Sequence, residues 1–180
     1  MIQVSELATQ CRTEPMVLDG IRPDLCGDLE QIILTRMEND RGRRTGSINV
    51  GGWKSGEDFF YWPDAAVQEL RQAISQIVGT PSLLAWAMVN RAGSKHPRHQ
   101  HRAAILSGVF YVAIGNPEAS VPTVFECPCD ERVVKGVARY SMEVEPHPGR
   151  VVLCRGSTWH SVPVYTGDLP RITIAFDVRR

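Results

Sequence analysis

The chain has 180 residues, of which 43% are hydrophobic and 22% are charged. This length suits one domain whose continuous core needs no disulfide bonds. Twenty basic and twenty acidic side chains give a net charge of zero, so the sequence offers no broad positive surface for nucleic acid or an anionic membrane. We therefore expect neither as a partner. The oligomeric state stays open, a homodimer included.

Targeting and cysteine usage suggest a compartment. The sequence has no apolar run of the about 20 residues that cross a bilayer. Its first six residues lack the basic and apolar regions of a signal peptide, so we expect a cytoplasmic protein with reduced thiols. Cys127 and Cys129 form a C-x-C pair that could contribute to a zinc site. Because no second pair accompanies it, a structural role is the preferred interpretation.

The first part of the sequence predicts two helices. Apolar residues recur at close to helical spacing over residues 24–37. Charged and small residues over 38–46 predict a solvated loop. The second helix is clearer, because Asp64 suits its start, an apolar stripe runs from Val67 to Val78, and Gly79 ends it.

After Ser82 the sequence changes to short β-rich runs separated by Pro, Gly, Asn or Asp. Two helices followed by about seven strands predict a mainly β fold, an antiparallel barrel or sandwich buttressed by helices. We expect one domain, with the buttress and first strands in residues 1–80 and the barrel core in 81–180. The predicted strands are 83–89, 103–114, 123–127, 138–144, 150–153, 161–165 and 171–178.

Three of the five histidines lie beside predicted strands. His99 and His101 precede one strand, and His160 precedes another. Residues i and i+2 of a strand project from one face, so His99 and His101 would form a two-point metal clamp. Imidazole suits iron, zinc, copper and nickel, and a third imidazole completes a facial set of three ligands with open positions, which oxygen chemistry at iron(II) requires. H-x-H alone is a weak signal, and the other two histidines, His96 and His147, lie beside prolines in predicted loops.

Arg171 begins the last predicted strand. Alternation places Arg171, Thr173 and Ala175 on one face of that strand, opposite three apolar residues. A guanidinium matches a carboxylate bidentately, and a threonine hydroxyl can donate one more hydrogen bond. The alternative is a strand-end arginine that is solvated or paired with Asp168 or Asp177. The combination with the histidines favours an anion site.

An ordered set of motifs runs through the chain: SINVGGWKS at 47–55, Trp86, Asn90, HQH at 99–101, LSGVFYV at 106–112, PGRVVL at 148–153, His160, and RITIAF at 171–176. In this set the sequence resembles the 2-oxoglutarate- and iron(II)-dependent oxygenases of the double-stranded β-helix fold. The resemblance covers roughly the last three quarters of the chain, and the ordered set is far more specific than any one motif.

The resemblance implies a jelly-roll barrel in which His99 and His160 bind iron(II). Arg171, with Thr173 in the family's R-x-S/T position, would bind the distal carboxylate of the co-substrate 2-oxoglutarate. The implied reaction is a dioxygenation that hydroxylates an unidentified substrate and releases succinate and CO2. The residues expected to flank the co-substrate pocket are Asn90 and Tyr111.

One position departs from the wider superfamily, in which the residue two after the first histidine is usually Asp or Glu. Here it is His101. Either His101 replaces the carboxylate and gives a neutral three-histidine site, or it stays unbound and water fills the position. The i, i+2 spacing favours three histidines. Bound 2-oxoglutarate would then offset the charge of the metal. The other candidate carboxylates are Glu126 and Glu145.

The substrate is expected above the open metal position, against Asn49, Gly51 and Trp53 and near the basic segment 41–44. Glycines beside Trp53 could form a lid, and an indole packed against the barrel is the plain alternative. The sequence does not identify the substrate, which can be a small molecule or a peptide side chain. Two other classes stay open, a cupin-like metalloenzyme that does not use 2-oxoglutarate and a non-catalytic jelly-roll binding module.

Overall fold

The computed structural model of the protein describes residues 4–11, 14–40, 48–127 and 140–179. Within these ranges the chain forms three α-helices and ten β-strands. None of the described helices is long and apolar enough to cross a membrane. The helices are α1 Val4–Gln10, α2 Cys26–Asn39 and α3 Ala65–Val78. The strands are β1 Met16–Leu18, β2 Trp53–Lys54, β3 Leu83–Asn90, β4 His96–His99, β5 Ala104–Ile114, β6 Thr123–Cys127, β7 Tyr140–Val144, β8 Val151–Arg155, β9 His160–Val162 and β10 Arg171–Arg179.

Both predicted helices are confirmed. In α3 the side chains at Val67, Leu70, Ile74 and Val78 are fully buried, which is the spacing of one helix face. Gly79 follows at φ 72°, a left-handed conformation that ends the helix. The helix predicted over 24–37 begins two residues later, at Cys26, because a 3-10 turn over Pro23–Leu25 precedes it.

The strands form two antiparallel sheets. The larger has the order β1-β8-β5-β10-β3-β2, and the smaller has the order β4-β9-β6-β7. The prediction of a mainly β fold with helices against it is therefore confirmed. The assignment of the whole chain to one domain stays a prediction.

The larger sheet has an apolar face on each side. On the outer side, Ile172, Ile174 and Phe176 of β10 pack with buried residues of α2 and α3 in the main core. Gly108 of β5 lies against this core, where a Cβ would come within 2.2 Å of the Phe176 ring. On the inner side, a second cluster that includes Val152 joins the larger sheet to the smaller one. The odd-numbered residues of β10 are thereby left to face the space between the sheets.

Sequence reasoning missed the seven-residue helix α1 and three short strands, β1, β2 and β4. β1 pairs with β8 and β2 pairs with β3, so both form edges of the larger sheet. Segments of two to four residues carry too little periodicity to be recognised. Cys11, Cys26 and Cys154 are buried free thiols, and Cys127 is buried as well. Cys129 lies outside the described residues, so the role of the C-x-C pair stays a prediction.

Candidate active site

Three imidazoles converge between the two sheets. The rings of His99 and His160 have centroids 4.2 Å apart, and that of His101 lies 5.3 Å from His99 and 5.2 Å from His160. One ring nitrogen from each lies within 4.8 Å of the others. Of the side chains described, this is the one group of three or more histidines, cysteines and acids close enough to share an ion.

The smaller sheet places two of these rings. His99 ends β4 and His160 begins β9, and the two residues are register partners across this antiparallel pair. On its other side His160 faces Phe125 of β6, and the two rings stack at 5.7 Å. Neighbouring strands thus fix two imidazoles side by side.

His101 reaches the cluster by another route than the one predicted. The expectation that His99 and His101 share the face of one strand is wrong, because β4 ends at His99. His101 lies in the crossover to β5 in the other sheet, where its N–H donates to the Gly156 carbonyl at 2.8 Å. Its ring meets the other two because the chain turns between the sheets at this point.

The Nδ1 atoms of two imidazoles face backbone carbonyls. Nδ1 of His99 lies 2.7 Å from the Pro97 oxygen, and Nδ1 of His160 lies 3.0 Å from the Thr158 oxygen. A carbonyl only accepts, so each Nδ1 carries the proton and donates. The Nε2 atom of each ring therefore keeps its lone pair for a ligand.

The third imidazole has a different partner. Nδ1 of His101 lies 2.7 Å from a carboxylate oxygen of Asp177 and 3.0 Å from the hydroxyl of Ser107. Asp177 is only 5% exposed. The indole of Trp86 packs against the same ring, with centroids 5.6 Å apart. These contacts hold the His101 ring in one orientation.

The electrostatics of the cluster fit a divalent cation. Burial, reinforced by the neighbouring imidazole of His99, lowers the pKa of His160 to about 3. Burial also lowers the pKa of His99. Both rings are therefore neutral near pH 7, which is the form that binds metals.

The histidines line a cavity of about 230 Å³ between the sheets, and Arg171 and Thr173 line the same cavity. Arg171 is 1% exposed, and its guanidinium lies 5.5 Å from the centre of the Tyr111 ring. The alternative of a solvated or ion-paired strand-end arginine is wrong for the described part of the chain, because Arg171 is buried and Asp177 pairs with His101. Burial lowers the pKa of the guanidinium, which favours a negatively charged neighbour.

Four buried polar atoms near this cavity have no hydrogen-bond partner. They are Nε of Arg171, Oγ1 of Thr173, Nε2 of His96 and Oδ1 of Asn90. A buried polar group left unpaired costs roughly 1–3 kcal/mol, so such groups normally have a partner. The guanidinium of Arg171 and the hydroxyl of Thr173 lie on the same face of β10, and together they fit a carboxylate ligand. The residues present therefore fit both an imidazole-bound metal ion and an organic acid beside it.

Asn90 and Tyr111, expected to flank the co-substrate, lie behind the cavity wall. The hydroxyls of Tyr111 and Thr123 lie 2.6 Å apart, and Thr123 lines the cavity. The side-chain amide of Asn90 donates to the Asn49 oxygen at 3.0 Å, and Asn49 lines the cavity as well. Both residues thus support wall residues.

The predicted substrate contacts are only partly brought together. Gly51 and Trp53 are absent from the cavity lining formed by the described residues. The Trp53 indole packs against the main core, and its Nε1 donates to Asp40 at 3.3 Å. The plain alternative of a packed indole is thus the one seen. Segment 41–44 lies outside the described residues.

The other candidate carboxylates lie apart from the imidazoles. Glu126 forms an ion pair with Arg98, and the Glu145 side chain is exposed. Neither belongs to the group that could share an ion.

Sequence reasoning missed two residues of the site. His96 was assigned to a loop, but it belongs to β4, is 6% exposed and lines the cavity. Its proximity to a proline concealed the strand. Asp177 was considered only as a partner of Arg171. The alternation that places Arg171, Thr173 and Ala175 on one face could have found it, because Asp177 continues the same series.

The comparisons with known proteins agree with this geometry. Residues 84–177, just over half of the chain, match the model of the family described as "Putative 2OG-Fe(II) oxygenase", where 2OG is 2-oxoglutarate. No curated protein sequence matches the chain.

Solved structures show the fold. A prolyl-4-hydroxylase from Pseudomonas putida aligns with a TM-score of 0.71 at 18% identity, covering 98% of both chains. A prolyl hydroxylase from Trichoplax adhaerens, in complex with a hypoxia inducible factor peptide fragment, aligns with a TM-score of 0.73 at 11% identity, covering 98% of this chain and 88% of that one. The epimerase SnoN, in complex with Fe3+, alpha ketoglutarate and nogalamycin RO, aligns with a TM-score of 0.68 at 11% identity, covering 97% and 83%.

The predicted double-stranded β-helix is thereby confirmed, and the match over the strands that carry the histidines and Arg171 extends from fold to family. The chain belongs to the 2-oxoglutarate- and iron(II)-dependent oxygenases, enzymes that use both iron(II) and 2-oxoglutarate to oxidise a substrate.

Proposed function

We propose that His99, His101 and His160 hold the iron(II) ion through their Nε2 atoms, and that Arg171 and Thr173 bind the distal carboxylate of 2-oxoglutarate. When bound, these two groups supply the oxidation of a substrate by dioxygen, with succinate and CO2 as co-products. One observation carries the proposal: three converging imidazoles line the same cavity as a buried guanidinium whose Nε has no hydrogen-bond partner.

The protein's part in this reaction is to orient and to exclude water. The carbonyls of Pro97 and Thr158 fix the tautomers of two imidazoles, so that their lone pairs meet at one point. Arg171 presents two or more N–H donors in a plane, which sets the direction of a bound dicarboxylate. Burial strengthens this interaction, because the surroundings screen charge less than water does.

His96 is a fourth histidine at the cavity, and it lies outside the three-histidine metal site. Its Nε2 is buried without a partner beside the cavity, and burial, reinforced by the neighbouring charge of Arg171, lowers its pKa to about 3. The ring is therefore neutral near pH 7. A neutral imidazole can donate one hydrogen bond to an oxygen of the bound acid without adding charge.

The mouth of the cavity is where substrate meets the site. Ile48 lines the cavity and is 48% exposed. Lys54 lines the same cavity, with its ammonium 4.5 Å from the centre of the Trp86 ring. Trp86 in turn packs against His101. We place the substrate here, against Ile48 and Trp86, with Asn49 as a polar contact.

Two classes of substrate stay open. One similar structure holds a peptide fragment and another holds nogalamycin RO. A peptide side chain and a small molecule are therefore both candidates for this chain. A homodimer, a cytoplasmic location, the absence of a nucleic-acid partner and a role of Gly51 or segment 41–44 in substrate binding stay predictions.

A binding experiment tests the proposal without a known substrate. Calorimetry on the manganese(II)-loaded protein would compare 2-oxoglutarate with 2-oxobutyrate, which has the same 2-oxo acid end but no distal carboxylate. Charged bidentate hydrogen bonds should favour 2-oxoglutarate by a factor on the order of 100. Arg171→Ala should remove this preference and leave 2-oxobutyrate binding unchanged.

The control is Arg71→Ala. Arg71 belongs to α3, lies over the Tyr61 ring and does not line the cavity. It should keep the preference. A preference that survives Arg171→Ala would refute the assignment of this residue. Absence of any 2-oxoglutarate binding would favour the cupin-like enzyme, and absence of metal binding would favour the non-catalytic binding module.

A further inference from the structure

The three imidazoles of the cluster differ in the charge behind them. His99 and His160 donate to neutral backbone carbonyls two residues away in the sequence. His101 bonds to a carboxylate that is 76 residues away. Asp177 therefore places a carboxylate in direct contact with the His101 ring, whereas the described hydrogen bonds of the other two rings go to neutral carbonyls.

Asp177 is placed for this contact by the larger sheet. It lies near the end of β10, with Ser107 of β5 and Leu84 of β3 as its register partners. At 5% exposure the carboxylate is almost completely removed from water. Among the described residues, its ion-pair partner is His101. A buried carboxylate is costly unless it is paired, so its place beside this ring calls for a reason.

A metal ion provides that reason. Three neutral imidazoles leave the 2+ charge of an ion uncompensated by the protein. A carboxylate that accepts the Nδ1 proton of an imidazole fixes its tautomer and makes its Nε2 more basic toward a metal. The negative charge then acts on the ion through the ring, although no oxygen binds it directly.

We propose that Asp177 is a positioning residue of the metal centre, which supplies through His101 the carboxylate charge that the three-histidine set lacks. This inference rests on the proposed function, because it requires the ion to lie among the three imidazoles. It explains why Ser107, Trp86 and Asp177 all contact His101, whereas His99 and His160 rely on local carbonyls.

Manganese(II) affinity of the apo protein tests this role, measured from the paramagnetic resonance signal of the free ion. Asp177→Asn keeps an oxygen that can accept the Nδ1 proton but removes the charge. It should weaken manganese(II) binding about 10–100-fold, the usual effect of losing such a partner. Ser107→Ala, which removes only a neutral contact to the same Nδ1, is the matched control and should change the affinity less than about threefold.

A second background separates charge supply from structural support. In His101→Asp the new carboxylate would lie close to Asp177, and the two like charges would repel each other. Adding Asp177→Asn there should raise manganese(II) affinity, because an amide can donate to the new ligand. The same substitution thus lowers affinity in the natural background and raises it in the His101→Asp background. A merely structural role predicts a loss in both, and that result would overturn the proposal.

Two further measurements keep the outcomes distinct. Nitrogen-15 NMR of the labelled, metal-free natural protein should show that His101 carries its proton on Nδ1. A neutral ring with its proton on Nε2 would overturn the proposal. This measurement needs no variant, so it applies even if Asp177→Asn fails to fold. His99→Ala tests the proposed function itself. If manganese(II) binding is unaffected by His99→Ala, the metal site is misplaced. If His99→Ala abolishes binding and Asp177→Asn has no effect, only the role of Asp177 fails.

Discussion

Two threonines in the wall of one cavity should respond in opposite ways to the same substitution. Thr173 and Thr123 both line the cavity and are 1% and 4% exposed. The hydroxyl of Thr173 has no partner, whereas that of Thr123 bonds with the Tyr111 hydroxyl at 2.6 Å. Valine has nearly the same shape as threonine but no hydroxyl. Thr173→Val therefore removes an unsatisfied polar group, and Thr123→Val creates one on Tyr111.

The magnitudes follow from these contacts. A buried unsatisfied polar group costs roughly 1–3 kcal/mol, so Thr173→Val should raise the free energy of unfolding of the apo protein by about 1 kcal/mol or more. Thr123→Val should lower it by about 1–3 kcal/mol. For a chain of this length, each kcal/mol corresponds to a shift of about 2–4 °C in Tm.

Thr173→Val should stabilise the apo protein but weaken the binding of the co-substrate. A hydrogen bond to a charged group contributes about 1.5–3 kcal/mol, so Thr173→Val should weaken 2-oxoglutarate binding roughly 10–100-fold. Thermal unfolding of both variants, with and without manganese(II) and 2-oxoglutarate, measures both effects. If Thr173→Val destabilises the apo protein and leaves 2-oxoglutarate affinity unchanged, then the Thr173 hydroxyl does not bind 2-oxoglutarate.

Three more predictions concern stability. Gly108→Ala should destabilise the protein by about 1–3 kcal/mol in urea unfolding, because its Cβ would clash with the Phe176 ring at 2.2 Å, and an unchanged midpoint would contradict the close packing. The pKa of His96 is about 3 in the folded chain, against an ordinary value of 6.5. As the pH falls below about 6.5, the unfolded chain therefore binds a proton at this residue before the folded chain does. The free energy of unfolding should then fall by up to about 1.4 kcal/mol per pH unit between pH 6.5 and 3. His96→Leu should flatten the apo stability profile by that amount in this window, and an unchanged slope would show that the ring titrates normally. Ile174→Ala, in the core between sheet and helices, should cost about 2–5 kcal/mol by calorimetry, whereas the control Ile48→Ala at the exposed cavity mouth should stay within about 0.5 kcal/mol; similar losses would contradict this division.

Long periodic elements of the fold were readable from the sequence. The stripe that ends at Gly79 shows which side of α3 is buried, and the alternation from Arg171 onward separates the apolar face of β10 from the face that carries Arg171, although both faces of this strand are buried. The edge strands could not be read in this way. β1 and β2 have three and two residues and exist because a longer neighbour, β8 for β1 and β3 for β2, offers them hydrogen bonds.

The sequence identified the main residues of the candidate site, but it did not show how the fold brings them together. The three histidines and Arg171 were selected by their positions beside predicted strands and by the order of the motifs, and the structure brings them to one cavity. The reason given for His99 and His101 was wrong, because a crossover between sheets, not one strand, joins them. Strand alternation could have placed Asp177 on the inner face of β10, but its contact with His101, 76 residues away, depends on the path of the crossover between the sheets, which local spacing does not encode.

An anaerobic crystal structure with manganese(II) and 2-oxoglutarate tests the central claim most directly. The account predicts one ion bound to Nε2 of His99, His101 and His160 at about 2.1 Å, the usual length for imidazole and a divalent metal. It also predicts the distal carboxylate of 2-oxoglutarate on the Arg171 guanidinium. An ion held elsewhere, or an acid bound away from Arg171, would contradict it.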